Sequence, residues 1–209
     1  SEGSGDLCDL CVERVCRHAA VDALRTESVN SDAQTNALSP VGPRHTVSLD
    51  GTWEIIFDAQ NEGRETDWHK PAQFAATKGR RQIPVPSCWE EHEQDYEGVA
   101  WYRRDFTIPA NWKDRLVHVH FDAVNYRAEV WVNDEVVGAH EGGYGPFELD
   151  ISGHVEPGAT NTLIVRVVGP AVVADQVDDL VRNAAPHWRG GYVGGIWQSV
   201  KLEATDPVY

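Results

Sequence analysis

From Leu49 onward, apolar and polar residues alternate with the two-residue period of a half-buried β-strand. Trp53, Ile55 and Phe57 share one face of the first such stretch. Residues 99 to 108 place Tyr102, Arg104, Phe106 and Ile108 on one side and Trp101, Arg103 and Asp105 on the other. Val117, Val119 and Phe121 alternate with His118 and His120; Ala128, Val130 and Val132 follow; Leu163, Val165 and Val167 repeat the pattern; Ile196, Val200 and Leu202 close it. Asn133-Asp134 reads as a hairpin turn, because both residues tolerate the left-handed backbone that a two-residue connection needs. Ile83-Pro-Val-Pro86 forces extended chain, since each proline fixes its own φ and biases its predecessor towards β. Short alternating strands with turn signals between them predict an all-β antiparallel sandwich and not a βαβ array. Val173, Val177, Leu180 and Val181 have helical spacing, so residues 172 to 183 read as a helix or equally as a long loop.

The first part of the chain has another texture. Residues 1 to 43 are rich in Ser, Asp and Asn and are expected to form a tail or linker, with a short helix over 7 to 25. The sandwich domain is expected over 44 to 209, its pattern starting at Leu49. Cys8, Cys11 and Cys16 crowd together with His18 close behind, while Cys88 stands far away. Three thiolates and an imidazole can surround zinc. The spacing matches no common zinc finger, and Leu7, Leu10, Cys11, Val15 and Cys16 also read as a helix stripe or a disulfide-bonded tail.

Composition narrows the function. A chain of 209 residues with 41% hydrophobic content supports one good core. Acidic residues outnumber basic ones by 33 to 18, and the net charge of −15 repels a phosphate backbone, which argues against a nucleic-acid partner. A neutral sugar is indifferent to that charge. No run approaches the roughly 18 to 20 apolar residues that cross a bilayer, and no basic start leads into an apolar stretch. A soluble protein without a membrane partner is the expectation, with cytoplasm and secretion both open. The chain opens on Ser1 and contains no methionine, which suggests that a segment upstream has been removed.

Loops can carry aromatic and polar side chains at a sandwich rim without disturbing the core. His187-Trp188-Arg189-Gly-Gly-Tyr192 is the first candidate: Trp and Tyr faces suit the C–H face of a pyranose, and Arg and His donate hydrogen bonds to hydroxyls. The competing reading has Trp188 closing the sandwich edge or packing on a neighbouring domain. The acidic loop from Glu90 to Glu97, with Asp95, Tyr96 and Glu97 at its end, is the second candidate, against a solvated charged loop. Trp53, Trp101 and Trp131 read as aromatic filling between two sheets. Gly142-Gly-Tyr-Gly-Pro146 makes a sharp loop before a strand at Phe147, and Asp150 caps the turn after it.

Four stretches carry a family likeness. They are Leu49-Asp-Gly-Thr-Trp53; Val85-Pro-Ser-Cys-Trp89 leading to Gly98-Val-Ala-Trp-Tyr-Arg-Arg104; Phe121 to Asn133 running on to Gly143-Tyr-Gly-Pro-Phe147; and Gly194-Gly-Ile-Trp-Gln-Ser-Val200. In this order, across residues 49 to 204, the chain resembles the N-terminal sugar-binding jelly-roll domain of family-2 glycoside hydrolases, the β-galactosidases, β-glucuronidases and β-mannosidases. The resemblance implies that two loops lean over the mouth of a catalytic barrel: Asp95 to Glu97, and Asn183 to Tyr192. The chain departs from the galactosidase pattern in both loops, so the resemblance does not name the sugar.

A retaining glycosidase needs two carboxylates about 5 to 5.5 Å apart. The resembled family keeps both on a (β/α)₈ barrel of about 250 residues, for which this chain has neither the length nor the helices. Glu90, Glu91 and Glu93 crowd one loop and lack opposed geometry, so no catalytic residue is assigned. Nor is there a Gly-x-Ser-x-Gly elbow, a phosphate-binding Gly-x-x-x-x-Gly-Lys or a His-Glu-x-x-His. No cofactor is expected, and no Asp-x-Asp-x-Asp-Gly run argues for calcium. The preferred reading is a non-catalytic domain of a β-glycosidase, whose partners are a β-linked glycoside and the catalytic domain of its parent enzyme. An autonomous carbohydrate-binding module or lectin, and a structural interaction domain without ligand, are the alternatives.

Overall fold

The computed structural model describes residues 44–177, 187–188 and 191–207. The tail 1–43, its helix over 7–25 and the cluster of Cys8, Cys11, Cys16 and His18 lie outside the described residues. Two antiparallel sheets form a sandwich. The strands are β1 (His45–Ser48), β2 (Gly51–Phe57), β3 (Arg81–Val85), β4 (Val99–Thr107), β5 (Leu116–Phe121), β6 (Arg127–Val132), β7 (Glu135–Glu141), β8 (Phe147–Asp150), β9 (Thr160–Val168), β10 (His187–Trp188), β11 (Gly191–Tyr192) and β12 (Val200–Thr205). The larger sheet has the order β3-β2-β4-β9-β6-β7, the smaller β1-β12-β5-β8, and β10-β11 is a separate short hairpin. Two short helices, α1 (Pro71–Ala76) and α2 (Pro170–Val177), complete the elements used below. Of the segment read as helix or loop, the part up to Val177 is helical, and residues 178–183 lie outside the described set.

Alternation becomes burial as expected. Trp53, Ile55, Ala100, Tyr102, Phe106, Ala128, Val130, Val132, Leu163, Val165 and Val167 of the larger sheet meet Val117, Val119, Phe121, Val200, Leu202 and Ala204 of the smaller in one core. Burying side chains of this size stabilises by about 1.5–3 kcal/mol each before entropy is subtracted. β3 carries Pro84 at the margin of the larger sheet, where a missing N–H breaks no ladder. Asn133 and Asp134 have φ of 49° and 76°, and they join Val132 to Glu135 across the hairpin as expected. Asp150 accepts a hydrogen bond from the Ser152 N–H at 2.9 Å, which closes the turn after β8.

One expectation is corrected. Trp53 lies between the sheets, but Trp101 and Trp131 lie on the outer face of the larger sheet with Ile56, Trp68, Phe74, Val99, Ile164, Val168 and Val173. There Trp101 stacks on Trp131 with ring centroids 5.4 Å apart and donates its indole N–H to buried Asp58 at 2.9 Å. Residues 58–82 supply α1 and chain that covers this second layer. Phe74 of α1 is fully buried in it, with Trp68 beside it. Alternation places Trp101 opposite Tyr102; it cannot say which of the two faces has the other sheet over it.

Candidate functional site

The four stretches that carry the likeness meet in the fold. β2 begins just after Asp50, whose Oδ1 accepts the Val200 N–H at 2.8 Å, and Trp53 donates its indole N–H to the Leu49 carbonyl at 2.8 Å. The first stretch is thereby tied to the fourth. Asn125, in the third, exchanges backbone hydrogen bonds with Gly195 at 2.9 and 3.0 Å, and its side-chain amide donates to the Val193 carbonyl. Trp89, in the second, donates its backbone N–H to the Gly194 carbonyl at 3.1 Å.

The Gly194-Gly195 turn packs so closely that side chains have no room. A Cβ at Gly194 would lie inside the Trp89 indole, and one at Gly195, where φ is 100°, would lie 2.5 Å from the Tyr102 hydroxyl oxygen. Only glycine meets both demands at Gly195. Cys88, beside Trp89, is fully buried and disulfide-bonded; the remaining cysteines, Cys8, Cys11 and Cys16, are outside the described residues.

The acidic loop, within 89–98, leaves β3 through a short 3₁₀ turn over Trp89–Glu91. Asp95 is exposed, with a left-handed φ of 53°, and Glu97 is exposed. Tyr96 is half-buried and faces inward. Its ring packs edge-on against Phe57 and Trp89 at 4.8 and 5.4 Å, and its hydroxyl donates to the Val99 carbonyl at 2.6 Å. Burial pushes this phenol up to about 12. Tyr96 therefore props the loop from beneath, and Asp95 and Glu97 are among its outward polar groups, with Glu91, His92 and Gln94. Glu93 pairs with Arg81, whose guanidinium also lies 4.6 Å over the Phe57 ring.

The aromatic loop contains the β10-β11 hairpin, with His187 opposite Tyr192 and Trp188 opposite Gly191. Arg189 lies outside the described residues, as do 178–186. The hairpin runs directly into Val193 and the glycine turn, so its exit is anchored on Trp89 of the other loop.

Glu90, which sequence reasoning places in the acidic loop and declines as catalytic, has a distinct position in the fold. Its Oε1 accepts the Gly194 N–H at 2.8 Å, a bond that joins the two candidate loops across 104 positions of sequence. Burial pushes its carboxyl from an ordinary 4.5 up to about 8, offset in part by backbone N–H donors including that of Gly194, while the neighbouring charge of Glu97 adds to the rise. No signal within the Glu90–Glu97 run sets this carboxyl apart from Glu91 or Glu93. Among the described residues, no three His, Cys, Asp or Glu side chains converge as a metal site.

Comparison with known proteins gives the same reading as the packing. Residues 46–206 match the family described as glycosyl hydrolases family 2, sugar binding domain. A β-glucuronidase of Paenibacillus borealis is 32% identical over 130 residues, covering 59% of this chain and 21% of that protein. A β-galactosidase of Thermoanaerobacter pseudethanolicus is 44% identical over 122 residues, 56% of this chain and 15% of the relative. A solved β-glucuronidase of Ruminococcus gnavus superposes with a TM-score of 0.63 at 26% identity, over 78% of this chain and 29% of the other. This chain therefore spans only about a fifth of the curated relatives' length. The family match and the meeting of all four stretches at one network of hydrogen bonds have the same consequence: the chain belongs to glycoside hydrolase family 2, as its sugar-binding domain.

Proposed function

We propose that this domain is the non-catalytic N-terminal unit of a family-2 β-glycosidase, and that it lends its rim loops to a β-linked sugar held by a catalytic barrel elsewhere in the parent enzyme. The observation that carries the reading is the junction of the two loops. Glu90 and Trp89 of one are bonded to Gly194 of the other, so the exposed Asp95 and Glu97 and the β10-β11 hairpin belong to one connected rim. A rim of this kind supplies carboxylate acceptors from Asp95 and Glu97. His187, Trp188, Arg189 and Tyr192 would supply aromatic faces and hydrogen-bond donors. Hydrolysis itself is assigned to the barrel, because glycoside cleavage requires an opposed pair of carboxyl groups with the sugar between them. Relatives named β-glucuronidase and β-galactosidase make those two glycosides the first to try.

The test uses the chain alone and the full-length parent. The chain alone is expected to leave chromogenic β-glucuronide and β-galactoside untouched, and the parent is expected to hydrolyse one of them. In the parent, Trp188→Ala should raise KM at least tenfold with unchanged folding. Turnover by the isolated chain would refute the division of labour. Loss of stability in Trp188→Ala without change in KM would remove the hairpin from the sugar site and favour its role in packing. Sugar binding by the chain without any barrel would instead support the autonomous module.

A further inference from the structure

Three buried polar atoms gather where the loop 89–98 meets the glycine turn. They are Oε2 of Glu90, the Tyr102 hydroxyl and the Trp89 indole Nε1, and none makes a well-formed hydrogen bond among the described residues, although the Trp89 indole faces the Glu90 carboxyl and the Tyr102 hydroxyl faces the Ile196 backbone. Buried polar groups are normally paired, so atoms left without a well-formed bond mark a place whose protonation and packing are coupled. The turn is what these atoms share. Gly194 donates to the other oxygen of Glu90 at 2.8 Å, and Cβ atoms added at Gly194 and Gly195 would run into the Trp89 ring and the Tyr102 oxygen respectively.

We propose that Glu90 is a positioning residue: through the Gly194 N–H its carboxyl, as a neutral acid, latches the loop 89–98 to the turn that ends the β10-β11 hairpin. The inference rests on the sugar-binding reading of that rim. Its geometry is one-sided in a useful way. Oε1 accepts the Gly194 N–H whatever the charge, but only the protonated acid avoids holding a charge against the closely packed Trp89 ring and glycine turn. Burial already favours that form up to about pH 8. The groups that face the carboxyl are Glu97 from its own loop, whose charge adds to the cost of ionising it, the Trp89 indole, which offsets part of that cost, and Tyr102 from β4, whose phenol is pushed up by burial and by the carboxylate. The segment Val193–Trp197 presents no titratable side chain, and Arg81 is engaged by Glu93. Ionisation above about pH 8 therefore places a second negative charge near Glu97 and loosens the joint between the two loops.

The experiment compares the wild-type chain with Glu90→Gln, which keeps the acceptor for Gly194 and the shape but cannot ionise. Pulse-labelled amide exchange at Trp89 and Gly194 is read at pH 6 and pH 9, corrected for intrinsic rates, alongside calorimetry with methyl β-D-glucuronide and methyl β-D-galactoside. The wild type should lose at least tenfold in protection at Gly194 between the two pH values, and Glu90→Gln should lose less than threefold. Sugar affinity, where it is measurable, should follow the same pattern. Equal protection of the wild type at both pH values would overturn the latch, and so would an equal loss in the Gln variant. Exchange as expected with no sugar bound at either pH would leave the latch standing and overturn its role toward sugar.

Discussion

The two ends of the sandwich solve the same problem in opposite ways. At the far ends of β6 and β9, buried Asn161 accepts the Glu156 N–H at 2.8 Å and donates to the Glu156 and Ala159 carbonyls at 3.1 Å. Asn133 donates to Asn161 and to the His154 carbonyl at 2.8 Å, and accepts the Thr162 N–H at 2.9 Å. Every amide group there is engaged, and none titrates. At the end that holds the glycine turn, half-buried Glu90 and buried Tyr102 carry oxygens without a well-formed hydrogen bond among the described residues. A fully paired network fixes shape, whereas a partly paired one leaves capacity for water, proton or ligand. The difference separates the end built to hold from the end open to function.

The comparison can be broken most sharply at Gly194. Because a Cβ there enters the Trp89 indole, Gly194→Ala should destabilise by about 3 kcal/mol or more, read as the urea midpoint. An effect below about 1 kcal/mol would mean that the turn is not seated on Trp89. At the opposite end, Asn161→Ala strips partners from the Glu156 N–H and the Asn133 amide, and should cost about 2–3 kcal/mol with no dependence on pH from 5 to 9.

The next prediction concerns pH. A carboxyl whose folded pKa lies above its ordinary 4.5 is held protonated by folding, so its contribution is complete below that value. It is then lost as pH rises, until about pH 8. Thermal midpoints of the wild type should therefore fall through this window, while Glu90→Gln should be flatter and more stable at pH 8 by about 1–2 kcal/mol, water entry having relieved part of the penalty. Parallel profiles would exclude Glu90 as their source. The smallest effect belongs to the surface: Lys70→Ala breaks only the exposed pair with Asp67 and should change stability by less than about 0.5 kcal/mol.

Much of this was legible in the chain. The strands around Trp53, Tyr102, Val119, Val130, Val165 and Leu202 are readable because alternation is local, and the Asn133-Asp134 turn because its backbone demand falls on two adjacent residues. β1 was harder to read, being short and mostly polar. Alternation did not reveal the outer layer that Trp101 and Trp131 form with Trp68 and Phe74, because a strand buried on both faces does not declare which face meets the second sheet. In the candidate site, Asp95 and Glu97 are exposed on the loop as a rim contact requires, while Tyr96 is spent on packing against Phe57 and Trp89.

The sequence alone determined that the chain forms an antiparallel sandwich of the sugar-binding type, since period-two alternation and four ordered motifs are properties of neighbouring residues. Only the tertiary structure decided that Glu90 is unlike Glu91 and Glu93. Its burial and its Gly194 partner come from a turn 104 residues away, and the desolvation of a charge depends on what folding places around it.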